Sequence, residues 1–204
     1  MAEMMGDARD LSKAERNGES WKPGSTHASV PAMGEPAERG RVCWITGRPQ
    51  GGKSTFARAL VERLRERGLG AVLLDGDQVR GALVPTPGYD ERARDDFYAT
   101  LTNLAWLLAD QGHVVVVPAT AHLSAFRERA KREPARFSLV FIDASPSVCA
   151  ERDRKGLYRH SDACRLGNLP GRDAGYEVPG DADVTASGGH DLEAIEAALR
   201  MLTP

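Results

Sequence analysis

Cysteine is scarce: Cys43, Cys149 and Cys164 are the only ones in 204 residues. They form no C-x-x-C pair and no Cys/His ligand spacing, which argues against zinc and against a disulfide framework. Reduced structural thiols in a cytoplasmic protein are the expectation. Long apolar runs are missing too. No stretch approaches the roughly 18 apolar residues of a membrane span, and the N-terminus lacks the apolar core of a signal peptide. No excess of one charge is present either, with 27 Lys and Arg against 29 Asp and Glu and a formal net charge of -2. Without a broad basic field nucleic acid is not an expected partner, so any anion must be held by local groups.

What is present is ordinary for a globular chain, 41% hydrophobic and 27% charged, and the length suits one α/β domain. Residues 1–39 are rich in Gly, Ala, Pro, Ser, Glu and Arg and lack periodicity, so they read as a disordered tail before a domain over 40–204. Trp21 in that tail is either an incidental residue or a docking group. From Arg41 onward apolar runs alternate with amphipathic stretches. Strands are expected at 42–46, 71–74, 113–117, 137–142 and 184–186. Helices are expected at 54–67, 90–111, 124–132 and 191–202, with a short one after the fourth strand. Nearly continuous apolar strands alternating with helices predict a parallel sheet covered on both faces. The carboxyl ends of the strands are then where a ligand binds.

Gly47-Arg48-Pro49-Gln50-Gly51-Gly52-Lys53-Ser54, followed by Thr55, fits G-x-x-x-x-G-K-[ST] between a strand and a helix. Glycines let the backbone turn its N–H groups toward phosphates, and the helix that follows points its positive end at the same anion. Lys53 is expected on the β- and γ-phosphates of ATP, and Ser54 on Mg²⁺. Asp75-Gly76-Asp77 ends the second strand, with Arg80 just beyond. Two carboxylates there suit a metal-side ligand and a base for an attacking hydroxyl. Asp75 is the better candidate for the base, although the residues do not separate the roles. Arg80 suits an anion clamp; the plainer alternative is a turn whose Asp residues cap a helix. Glu151 to Arg159 is densely charged and leads into Gly- and Pro-rich sequence. It fits a mobile lid over about 152–180, or a solvated helix end.

These residues resemble the adenylylsulfate kinase (APS kinase) family. Leu74-Asp75-Gly76-Asp77-Gln78-Val79-Arg80 is similar to its L-D-G-D-N-V-R. Arg152-Asp153-Arg154-Lys155-Gly156-Leu157-Tyr158 is similar to its R-D-P-K-G-L-Y, and Gly171 with Tyr176-Glu177-Val178-Pro179 to its T-G and Y-E-x-P. The resemblance implies a three-layer P-loop kinase fold with a parallel central sheet and a mobile lid. It implies MgATP as phosphoryl donor and the 3′-hydroxyl of adenosine 5′-phosphosulfate as acceptor. Homodimers are common in the family, so a homodimer is implied as an option. Ungapped spacing puts Arg94 on the family's D-R arginine.

Departures fall on the acceptor side. The family's N-I-R-R becomes Phe97-Tyr98-Ala99-Thr100, its I-S-P becomes Thr120-Ala121-His122, and its base-stacking Phe becomes Leu169. Phe97 is expected as core or, with Tyr98, as an acceptor wall, and His122 as a structural residue, an acceptor contact or a general base. The expected site is then as follows. Gly47 to Thr55 and Arg152 hold the nucleotide; Lys53, Asp75 and Asp77 are catalytic; Ser54 and Asp75 hold the metal. Asp75, Arg80, Arg94, Phe97, His122, Lys155 and Leu169 line the place of a small-molecule acceptor. Two rivals stand beside this reading: a kinase of the same fold with another acceptor, and an ATP-binding regulatory protein without transfer.

Overall fold

The computed structural model describes residues 39–152 and 175–203; the expected tail, Cys164, Lys155, Leu169 and most of the expected lid lie outside the described residues. Five strands form one sheet: β1 (Val42–Gly47), β2 (Ala71–Leu73), β3 (Val114–Pro118), β4 (Phe137–Ile142) and β5 (Val184–Ala186). The order is β2-β3-β1-β4-β5, and every pairing is parallel. The helices are α1 (Lys53–Glu66), α2 (Gly76–Ala82), α3 (Glu91–Ala109), α4 (Ser124–Ala130), α5 (Pro146–Glu151) and α6 (Leu192–Leu202).

Alternation along each strand divides the core in two. Cys43, Ile45, Val114, Val116, Val140 and Ile142 face one way, against Phe56, Leu60 and Leu64 of α1 and Ile195, Leu199 and Leu202 of α6. Val42, Trp44, Val115, Val117 and Leu139 face the other way, against Phe97, Leu101, Ala105 and Trp106 of α3 and Phe126 of α4. This is the three-layer arrangement that the apolar strands predict. The chain leaves β1 toward α1 on one face and β3 toward α4 on the other. Adjacent strands whose loops part in this way open a crevice at their carboxyl ends.

Caps set several helix starts. Asp90 accepts from the Ala93 N–H at the head of α3, Ser145 from Val148 at α5 and Asp191 from Ala194 at α6, each meeting a donor the helix cannot. The long helix expected from Asp90 therefore begins at Glu91, with Asp90 as its cap. No helix among the described residues is long and apolar enough to cross a membrane.

Cys43 and Cys149 are both buried. Burial, with Asp183 adding to it, pushes the Cys43 thiol from its ordinary 9.0 up to about 12. The neutral thiol therefore contributes stability that is whole below pH 9.0 and is lost as pH rises toward about 12. In the folded protein at pH 8, dithionitrobenzoate is expected to leave Cys43 unmodified, whereas denaturant exposes it to full labelling. Peptide mass spectrometry checks both arms.

Candidate active site

The turn from Gly47 to Gly52 joins β1 to α1. Gln50 and Gly52 lie at positive φ, 61° and 106°, a conformation that folds the backbone back on itself above the helix. Lys53 Nζ donates to the carbonyls of Gly47 at 3.0 Å and Arg48 at 2.8 Å, so the ammonium hangs over the turn. The Gly188-Gly189 turn, between β5 and α6, presses on the same loop. A Cβ on Gly52 would lie 2.7 Å from the Gly189 nitrogen, and one on Gly189 would lie 2.7 Å from the Gly52 oxygen and 2.8 Å from Thr55 Cβ. Gly189→Ala must therefore displace the loop. The expected result is a rise of about tenfold or more in the KM for ATP from a residue outside the phosphate-binding sequence, read from steady-state kinetics. The guanidinium of Arg152, at the end of α5, lies beside Gly188.

The cradle meets the acidic loop directly. Ser54 Oγ donates to Asp75 Oδ2 at 2.7 Å, while Asp75 Oδ1 accepts the Asp77 N–H at 3.0 Å. Asp75 thus caps α2 and adjoins the phosphate cradle at once. Of the two readings that the sequence offered for it, the helix cap is seen directly, beside a contact to Ser54. Asp75 is buried at 6% exposure, and Asp77 is exposed.

Arg80 and Arg94 are both buried, Arg80 on α2 and Arg94 on α3. The Arg80 guanidinium lies 3.8 Å from the Phe97 ring centroid and 4.6 Å from that of Tyr89. Its Nη1 donates to the carbonyls of Pro87 at 3.2 Å and Gly88 at 2.7 Å. A planar cation between two ring faces is held in orientation by its charge and its area. Phe97 belongs to the core, at 3% exposure, and its ring is occupied by Arg80. Of the two readings of Phe97, core residue and acceptor wall, the core one is seen, and its ring also supports the arginine. Burial and then the neighbouring Arg80 lower the Arg94 pKa, while Tyr98 works the other way.

His122 is 5% exposed, and its Nδ1 has no hydrogen-bond partner among the described residues. Burial, then Arg94, lower its pKa, Glu177 opposes them, and Arg127 adds to the lowering. Sequence reasoning missed other groups here. Thr46 Oγ1 reaches the Thr120 carbonyl at 2.7 Å and the Tyr176 hydroxyl at 2.9 Å. The Arg48 guanidinium sits 5.3 Å from the centre of the Tyr176 ring. Tyr176 lay within a matched motif, but nothing in its spacing showed that it spans from β1 to the phosphate loop. Arg127 is buried on α4 with no sequence signal that marks it.

This α/β fold, its glycine-rich cradle and the Ser54–Asp75 contact define a P-loop kinase domain. The adenylylsulphate kinase family profile matches residues 39–187. An adenylyl-sulfate kinase of Klebsiella pneumoniae is 40% identical over 154 residues, 74% of this chain and 76% of that protein. One from Aeromonas hydrophila is 41% identical over 150 residues, 70% and 74% of the respective chains. The solved Mycobacterium tuberculosis APS kinase CysC in complex with AMPPNP and APS superposes with a TM-score of 0.73 at 35% identity, covering 80% of this chain and 98% of that one. The chain belongs to the adenylylsulphate kinase family.

Proposed function

We propose that this protein transfers the γ-phosphate of MgATP to the 3′-hydroxyl of adenosine 5′-phosphosulfate. The observation that carries the reading is the 2.7 Å contact from Ser54 to Asp75. It joins the phosphate cradle to the strand end from which α2 presents Arg80. On this reading donor and acceptor take adjoining places at the carboxyl edge of the sheet.

The residues present fit magnesium. Ser54 and Asp75 offer hard oxygen donors, and among the described residues no cluster of three or more His, Cys, Asp and Glu suited to a metal occurs. Magnesium usually takes only one or two protein oxygens beside substrate phosphates. Ser54 and Asp75 would hold it, and when bound it neutralises charge on the phosphates. Lys53 and the loop N–H groups grip the phosphates and oppose the charge that gathers during transfer. Asp75 uses one lone pair on each oxygen for Ser54 and Asp77, and a carboxylate has about four such sites. One remaining site accepts the proton of the incoming hydroxyl. Arg80 and Arg94 hold the acceptor's anionic end, so that transfer gains mainly from positioning. Asp77, exposed on the first turn of α2, adds negative charge at the outer edge.

Labelled ATP with a panel of hydroxyl acceptors tests this. Label in 3′-phosphoadenosine 5′-phosphosulfate is expected. Efficient transfer to a different compound, with none to adenosine 5′-phosphosulfate, would overturn the acceptor and leave the kinase standing. One observation favours that second reading. Part of the Arg80 donor set is committed to Pro87 and Gly88, which leaves fewer hydrogen bonds for an anion.

A further inference from the structure

The main chain of Thr120, Ala121 and His122, just beyond β3, is fixed from four parts of the fold. Thr46 at the end of β1 donates to the Thr120 carbonyl at 2.7 Å. The Ala121 N–H donates to Tyr98 Oη on α3 at 2.8 Å. Arg127 Nη1 on α4 donates to the Ala121 carbonyl at 2.7 Å. The Glu177 N–H, from the segment before β5, donates to the His122 carbonyl at 2.9 Å. Ala121 itself has a φ of 40°, in the left-handed region that an alanine avoids unless its surroundings impose it.

The rings continue the same construction. Tyr98 stacks on Phe126, with centroids 4.3 Å apart and planes 25° from parallel. Phe126 meets His122 edge-on at 5.6 Å. Tyr98 thus fixes the turn through its hydroxyl and backs the imidazole through Phe126. What this rigid turn presents is a buried ring whose Nδ1 has no partner among the described residues. Buried polar groups mostly have a partner; of the four buried side-chain atoms without one among the described residues, beside Trp44 Nε1, Arg48 Nε and Thr102 Oγ1, His122 Nδ1 is the one on this turn.

We propose that Tyr98 is a positioning residue, which locks the left-handed turn at Ala121 so that His122 Nδ1 hydrogen-bonds a neutral polar group of the acceptor. This rests on the reading above that the acceptor lies against Arg80 and Arg94. The groups that face the ring agree with a neutral partner. Arg94 on α3 and Arg127 on α4 join burial in disfavouring the imidazolium, and Glu177 alone opposes them. The neutral ring carries one donor and one acceptor. Its complement is a hydroxyl or amino group, while the arginines keep the anion.

Tyr98→Phe removes the hydroxyl and keeps the ring. The expected result is an acceptor KM raised about tenfold with the KM for ATP within about twofold of wild type. If Tyr98 acts through His122, the same change adds nothing to acceptor KM in a His122→Ala background. His122→Asn is expected to recover part of what His122→Ala loses. A second arm needs no acceptor. Nitrogen NMR of histidine-labelled protein is expected to show His122 titrating below the ordinary 6.5, with the midpoint moving up in Tyr98→Phe as water reaches the ring. An unmoved midpoint, an unchanged acceptor KM or additive losses in the double variant would each overturn the proposal. If adenosine 5′-phosphosulfate is not phosphorylated at all, the acceptor assignment fails, and the NMR arm decides the positioning role by itself. Should Tyr98→Phe fail to fold, Arg127→Lys loosens the same turn from its carbonyl side and carries the same measurements.

Discussion

Lys53→Ala is expected to lower transfer by about a thousandfold or more with every acceptor. The ammonium lies 3.0 Å and 2.8 Å from the Gly47 and Arg48 carbonyls, so it is held over the turn where the phosphates bind. A positioned charge of this kind opposes negative charge in the transition state and is worth about 3–4 kcal/mol, or roughly 10²–10³ in rate. Loss of phosphate grip in the ground state adds to that. Lys53→Arg is not expected to restore the rate, because a broad planar guanidinium cannot occupy the place of a compact ammonium. The measurement is label transfer from ATP under single-turnover conditions. A rate near wild type in Lys53→Ala would remove the cradle from the mechanism.

Asp75→Asn is the second large loss, about 10²–10³ in kcat. Asparagine is nearly isosteric and caps a helix as well as aspartate does, so α2 should keep its start and the fold its melting temperature. What disappears is the negative charge beside Ser54 and the site that takes the acceptor's proton. The variant is also expected to need more magnesium for half-maximal rate, because one anionic oxygen donor is gone. Asp77→Asn provides the contrast. That side chain is exposed, and its neutralisation should cost less than about tenfold, since an exposed charge is screened by water. Comparable losses in the two variants would contradict the roles given to these carboxylates.

Much of this architecture was legible in the residues, and the reasons differ by element. β3 and β4 are buried on both faces, so Val114–Pro118 and Phe137–Ile142 read as nearly continuous apolar runs, interrupted only by Ser138. The cradle was legible because its chemistry demands glycine, lysine and serine at fixed spacing next to a strand. α2 was not identified as a helix, although its cap, Asp75, was considered as one. Seven residues containing two glycines and two charges carry little periodicity. The support given to Arg80 by Tyr89 and Phe97 could not be read either, since it depends on how a loop returns over the first turns of α3. The bond from the Ala121 N–H to Tyr98 joins residues 23 apart in the chain, and no local pattern encodes it. The strands and the glycine-rich turn could be read from local pattern, while the cross-connections that aim each side chain belong to tertiary packing.

The close approach of Gly52 and Gly189 has a consequence for synthesis. β1 and its loop leave the ribosome before the turn between β5 and α6, which packs against that loop, has emerged and docked. A nascent chain stalled short of Ser187 would carry the whole phosphate-binding signature and yet hold ATP poorly. Nucleotide capture is therefore expected to wait for the Gly188-Gly189 turn to dock rather than to follow the appearance of the best-known motif.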